Sequence, residues 1–207
     1  MPGILQSYAM GVPAGWIAWN VGEGSERADE LSAKAADAPE AKEIVHRGVL
    51  GLDALCQRGD ALFVRAGLWV PDRTTGEVVA TAQLELRCGP MDRDASWSEE
   101  FEHAKAFRSQ RGFKIFDRAV APMTVQAGPA FGEVTVMAER RGRLLARSSG
   151  PDLVEAQVEI TVFPPGCSEV LCLRTITAEQ GLLEALAQEA RAMAESLTVV
   201  VGPRGEA

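Results

Sequence analysis

Residues 166–175 read GCSEVLCLRT, and what this stretch becomes decides the fold. It holds two of the four cysteines in the chain, Cys167 and Cys172. Five steps along an extended strand, at about 3.3 Å each, part them by roughly 16 Å, and the odd spacing sends them to opposite faces. Cysteines whose Cα atoms lie more than about 7 Å apart cannot be bridged. An extended segment therefore allows neither a disulfide nor a shared metal between them. Cys172 falls in with Val170 and Ile176 on one face, while Leu171 and Leu173 fill the other. A strand apolar on both sides belongs inside a sheet. The expectation is a central strand that delivers the chain to a C-terminal helix.

Outward from that strand, the period-two pattern recurs. Residues 154–163 alternate Val154, Ala156, Val158, Ile160 and Val162 against Glu155, Gln157, Glu159 and Thr161. In GEVVATAQLELR (76–87), Val78, Ala80, Ala82, Leu84 and Leu86 oppose Glu77, Thr81, Gln83, Glu85 and Arg87. Such alternation marks strands buried on one side. ALFVRAGLWV (61–70) precedes the second of these across the turn residues Pro71 to Gly76, which predicts a hairpin. Further strands are expected over 113–120, 132–139 and 143–148, with Arg140-Arg141-Gly142-Arg143 as a hairpin tip.

Helical periods occupy the remainder. Residues 25–59 read as helix, opened by Ser25 and split at Ala38-Pro39, with Val45, Val49, Leu52 and Cys56 on one apolar face. Ser96 and Glu99 form a capping box for a helix running to about Gly112, with Trp97, Phe101 and Ala104 inward. A second box, Thr177 with Gln180, opens a helix whose stripe is Leu182, Leu183, Leu186, Ala190, Met193 and Leu197. The pattern predicts one α+β domain over 1–207 with a short tail from about residue 202. Its sheet is largely antiparallel, of about six or seven strands, polar on part of one face and with helices packed on the other.

Charge and composition narrow the function classes. Among 207 residues, 21 Lys and Arg face 29 Asp and Glu, a formal net charge of −8. That balance opposes nucleic-acid binding, which rewards a basic face. No run approaches the roughly 20 apolar residues that span a bilayer, so membrane insertion is not expected. The opening MPGILQSYAMGVPAGW has neither the basic n-region nor the apolar h-region of a secretory signal, and a cytoplasmic location is expected. The cysteines form no Cys-x-x-Cys and suit reduced, structural thiols. Cys167, following Pro-Pro-Gly, is expected to be the most exposed of them.

Catalytic patterns are sparse. Both histidines stand in Glu-x-x-His, as Glu43 with His46 and Glu100 with His103. That i, i+3 pairing serves di-metal carboxylate bundles, but the intervening strands and the outward angle of His103 on its helix argue for a metal only as a minor alternative. No Gly-x-Ser-x-Gly elbow and no glycine-rich phosphate loop occurs, so no cofactor is expected. Arg140, Arg141, Arg143 and Arg147 form a basic island able to receive an acidic group or partner. Trp16 and Trp19 are large anchors that suit an interface or a pocket and suit a core equally well.

Pro13-Ala14-Gly15-Trp16 resembles the opening of Mog1/PsbP-like domains, including small actinobacterial members. The ending is similar too: a strand, the Pro-Pro-Gly turn 164–166, a strand, then a long helix finishing in Ala194-Glu195-Ser196-Leu197. The resemblance implies an antiparallel sheet flanked by helices, no shared catalytic site, and a role in binding or assembly. Many bacterial members are lipoproteins, and this sequence departs from them in having no lipobox. Taken together, the expectation is a non-enzymatic accessory or adaptor protein acting through protein contacts, with a homodimer as one possible form. The alternatives are a binder of a small apolar or anionic ligand between helix and sheet, and the Glu-x-x-His metalloenzyme.

Overall fold

A computed structural model describes residues 2–58, 60–88, 96–107, 113–139 and 154–203. Among the described residues nine strands appear in chain order: β1 (Ile4–Ala9), β2 (Trp16–Asn20), β3 (Leu62–Trp69), β4 (Ala80–Cys88), β5 (Phe113–Val125), β6 (Gly128–Glu139), β7 (Val154–Val162), β8 (Glu169–Thr177) and β9 (Thr198–Gly202). Four α-helices accompany them: α1 (Gly24–Ala35), α2 (Pro39–Cys56), α3 (Trp97–Ala106) and α4 (Leu183–Glu195). Seven strands form one antiparallel sheet in the order β2-β3-β4-β8-β7-β6-β5. β8, the GCSEVLCLRT strand, is its middle member. The fold is α+β, as the alternation predicts.

Cross-strand register sorts every side chain to a face. Leu84, Leu173 and Ile160 lie in one row, and Leu86, Leu171 and Val162 in another. Onto them α4 lays Leu186, Ala190 and Met193, all fully buried, followed by Ala194 and Leu197. The i, i+4, i+7 spacing makes this one continuous stripe. The small sheet β1-β9 ties the first strand to the last, with residues 198–202 forming a strand that the sequence pattern does not announce.

The opposite face carries the other three helices, so helices flank the sheet on both sides rather than one. At its β2-β3 end, α1 and α2 bury Leu31, Val45, Val49 and Leu52 against Ile17, Trp19, Ala66 and Leu68. Asp53 is the buried acidic side chain of this cluster, accepting from Trp19 Nε1 at 2.9 Å, Gly22 N at 3.0 Å and Gln57 Nε2 at 2.6 Å. Those bonds fix the chain just before α1, where the expected Ser25 cap is absent and Glu23 occupies the cap without a side-chain bond. Pro39 sits in the first turn of α2, where its missing N–H costs nothing.

Several expectations shift at element ends. β5 and β6 run well beyond 113–120 and 132–139 and meet in a turn at Gln126-Ala127. Pro122 does not break β5 because an edge strand can turn a missing N–H to solvent. Gly128 closes that turn at φ +143°, with the Phe163 carbonyl where a Cβ would stand. α3 ends at Ala106 rather than near Gly112. Thr177 does not cap α4. Its hydroxyl donates to the Val79 carbonyl at 2.7 Å and accepts from Glu179 N at 3.0 Å, and a 3₁₀ turn (Gln180–Leu182) leads into the helix. The hairpin expected at Arg140 to Arg143 and the strand at 143–148 lie outside the described residues; among the described residues β6 pairs with β5 and β7.

Candidate functional site

Where α1 and α2 stop covering their face, the side chains change character. Along β7 the outward set is Glu155, Gln157, Glu159 and Thr161; along β6 it includes Glu133 and Thr135. α3 covers only part of this polar strip. Its Trp97, Phe101 and Ala104 lean on Phe131, Phe163 and Val170. Trp97 stacks on Phe101 (centroids 5.0 Å apart), Phe101 meets Phe131 at 5.8 Å, and Phe131 meets Phe163 at 5.9 Å. Trp97 Nε1 donates to the Ala130 carbonyl at 2.9 Å, and Ser96 caps the helix by accepting from Glu99 N, as its capping box predicts. The flank of α3 that carries Glu100, His103 and Phe107 hangs over the sheet. Between that flank and strands β4 to β8 lies a cavity of about 750 Å³, within the size range of small-molecule sites.

The floor of the cavity is a set of paired charges. Arg118 grips Glu133 with Nε and Nη2, both at 2.7 Å, and a third N–H reaches the Phe107 carbonyl at 3.1 Å. Thr135 Oγ1 donates to the same carboxylate at 2.9 Å. Glu159 takes Nε and Nη2 of Arg174 at 3.1 Å and Nη1 of Arg87 at 3.3 Å, while Nη2 of Arg87 meets Glu85 at 3.0 Å. Sheet register creates these pairs, since Glu159 stands directly opposite Arg174. A β-bulge at Phe116 brings Ile115 and Arg118 to one face although they are three residues apart.

Burial acts on this floor in both directions. It would raise the Glu159 carboxyl, but the Arg87 and Arg174 guanidiniums outweigh it and hold the group below its ordinary value of 4.5. Cys172, fully buried beside Glu159, is pushed up by burial and then by that neighbouring carboxylate. A thiol held protonated is a poor nucleophile. All four cysteines are free, and Cys88 at the cavity edge is the exposed one, not Cys167. The N-terminal segment covers Cys167: Gly3 N donates to the Gly166 carbonyl at 2.8 Å and Ser168 N to the Gly3 carbonyl at 3.1 Å.

No protein-family model matches the sequence, and no curated protein does. Among solved structures, LpqN of Mycobacterium tuberculosis, described as involved in cell envelope biogenesis, is similar at 13% identity. The match covers 96% of this chain and 86% of that one, with a TM-score of 0.46. It is a weak likeness of fold.

The residues singled out from sequence fare differently. Trp16 and Trp19 are both buried: Trp16 stacks on Trp69 with centroids 5.7 Å apart, and Trp19 is locked to Asp53. Neither offers a surface in this structure. Arg140, Arg141, Arg143 and Arg147 lie outside the described residues. Glu43 and His46 belong to α2, with His46 Nε2 3.3 Å from Asp29, whereas Glu100 and His103 border the cavity on α3. Among the described residues no three His, Cys, Asp or Glu side chains converge as metal ligands, so the two pairs are not brought together. Among the described residues no helix is long and apolar enough to cross a membrane. Sequence reasoning missed Arg87, Arg118, Arg174, Glu133 and Glu159. The available signal was their position within strands, all but Arg118 on strands interior to the sheet, where charges need partners.

Proposed function

We propose that this protein is a non-catalytic binding protein that receives a small molecule with an apolar body in the cavity between α3 and the sheet. The observation that carries the reading is the cavity itself, about 750 Å³ with one aromatic wall and a floor of paired charges. A floor whose arginines already hold glutamates is preorganised. Cys172, beneath it, is fully buried. Native mass spectrometry of the protein purified under mild conditions is expected to show an added small-molecule mass that Ala104→Trp, which sets an indole against the aromatic wall inside the cavity, removes. An added mass retained by Ala104→Trp, or none in repeated preparations, contradicts it.

The Mog1/PsbP-like resemblance supports a second reading, an accessory protein working through protein contacts, as a monomer or homodimer. One flank of α2 favours it, with Ile44 and Leu55 exposed about 20° apart at 100° per residue. Ile44→Lys with Leu55→Lys would then abolish self-association or capture of a partner while leaving the melting temperature unchanged.

A further inference from the structure

Resting on the cavity reading above, we infer that the ligand ends in an uncharged oxygen, an alcohol or carbonyl group, that accepts the hydroxyl hydrogen of Thr161 at the foot of the aromatic wall. Among the described residues four threonines are almost wholly buried: Thr135, Thr161, Thr175 and Thr177. Three of them already donate. Thr135 gives its hydroxyl hydrogen to Glu133 at 2.9 Å, Thr175 to the Val158 carbonyl at 3.3 Å and Thr177 to the Val79 carbonyl at 2.7 Å. Thr161, only 4% exposed, has no partner for its side chain among the described residues, and it lines the cavity. A buried hydroxyl without an acceptor costs free energy, which is why such groups are rare. An acceptor carried in by a ligand removes that cost.

Register puts this hydroxyl beside the wall and next to charges that are already satisfied. Thr161 stands directly opposite Phe131 on one side and Cys172 on the other, with Cβ atoms about 5 Å apart in such pairs. Phe163, two positions on, lines the cavity with it. The neighbouring row is charged but closed. Arg118 holds Glu133, Arg174 holds Glu159, and Arg87 divides its two terminal nitrogens between Glu85 and Glu159. Three arginines face three glutamates there, so the floor offers neither sign in excess. A carboxylate would have to take an arginine from a glutamate mostly shielded from water, and an ammonium the reverse. Either exchange strands a charge. Of the further glutamates, Glu99 and Glu100 are exposed on α3, where water solvates them. Glu155 stands opposite Met137, six residues along β6 from Phe131, or about 20 Å at the rise of a strand. An uncharged head meets none of these costs, and the apolar body has Phe131, Phe163, Val170 and Ala104 to lie on.

Three probes with the same chain and different ends test this on the full-length protein by calorimetric titration at neutral pH: 1-decanol, decanoate and decylammonium. 1-Decanol is expected to bind at least about tenfold more tightly than either ion, because only the ions must displace a buried pair. Thr161→Val keeps the shape of the side chain and removes the hydroxyl, and it should weaken 1-decanol about tenfold, the weight of one hydrogen bond. Since that hydroxyl has no partner within the fold, the same variant without any probe should melt no lower than the unaltered protein. Ala104→Trp should remove binding of 1-decanol. An ion bound as tightly as 1-decanol, 1-decanol indifferent to Thr161→Val, or a Thr161→Val protein that melts lower, overturns the assignment of the head group and leaves the cavity reading intact. No binding by any of the three probes, or binding untouched by Ala104→Trp, overturns both.

Discussion

Two helical coverings lie on the same face of one sheet, and they are built differently. α1 and α2 bury at least five residues each against β2 and β3 and enclose one carboxylate, Asp53, which has three donors. α3 buries none of its residues fully and leans on an aromatic wall along one flank, beside a floor carrying Arg87, Arg118, Arg174 and three glutamates. The first arrangement is a closed core. The second is a wall with a cavity behind it. Register shows why: the row that begins with Trp19 and Ala66 continues as Gln83, Arg174, Glu159 and Glu133, so one face turns from apolar to charged between β3 and β4.

The contrast can be broken by substitution. The largest effect is expected away from this face, where Leu186 is fully buried beneath the middle of the sheet. Leu186→Ala should cost about 2–5 kcal/mol in denaturant unfolding. Next comes the floor. Arg118→Ala strands Glu133 and should cost about 3 kcal/mol, whereas Arg118→Met with Glu133→Leu should recover most of that loss. A double variant no more stable than the single one would mean that the pair is not acting as a unit.

Acid separates the two coverings further. A carboxyl whose folded pKa lies below its unfolded value stabilises the fold above that unfolded value, and the contribution disappears as pH falls through the folded one. Glu159 is such a group, held down by Arg87 and Arg174 against its burial. The destabilisation caused by Glu159→Gln should therefore be full above about pH 4.5 and shrink below it. Thermal melts of both proteins between pH 3 and 7 measure this, and a difference independent of pH would refute it. The smallest effect is expected from Ser96→Ala, about 0.5–1 kcal/mol at most, because only the α3 cap is lost. Hydrogen exchange should speed up in α3 alone.

Much of the fold was legible because burial writes a period into the chain. The two apolar faces of Leu171, Cys172 and Leu173 placed β8 in the middle of the sheet, and the stripe from Leu186 to Leu197 placed α4 on it. Turns were less legible. The Gln126-Ala127 turn depends on Gly128 packing against Phe163, thirty-five residues away, which no local pattern contains. The cavity was half legible. The polar half of 154–163 was read correctly as facing away from the core, but a polar strip faces open water or a covered cavity depending on where α3 comes to rest. That depends on Trp97 and Phe101 finding Phe131 and Phe163, a long-range aromatic cluster. Cys167 shows the same limit in reverse, being buried by Gly3 from the far end of the chain.

The four tryptophans offer the most direct test of the cavity as a binding site, since they divide cleanly between the two arrangements. Trp16 and Trp19 are buried in the apolar clusters and Trp69 stacks on Trp16, while Trp97 stands in the wall beside the cavity. In protein labelled with 5-fluorotryptophan, fluorine NMR should give four resonances, with Trp97 assigned by Trp97→Phe. On adding 1-decanol, a probe with an apolar body, the Trp97 resonance is predicted to move in a saturable way while the other three stay in place. Saturable binding that moves Trp16, Trp19 or Trp69 and leaves Trp97 still would contradict the account.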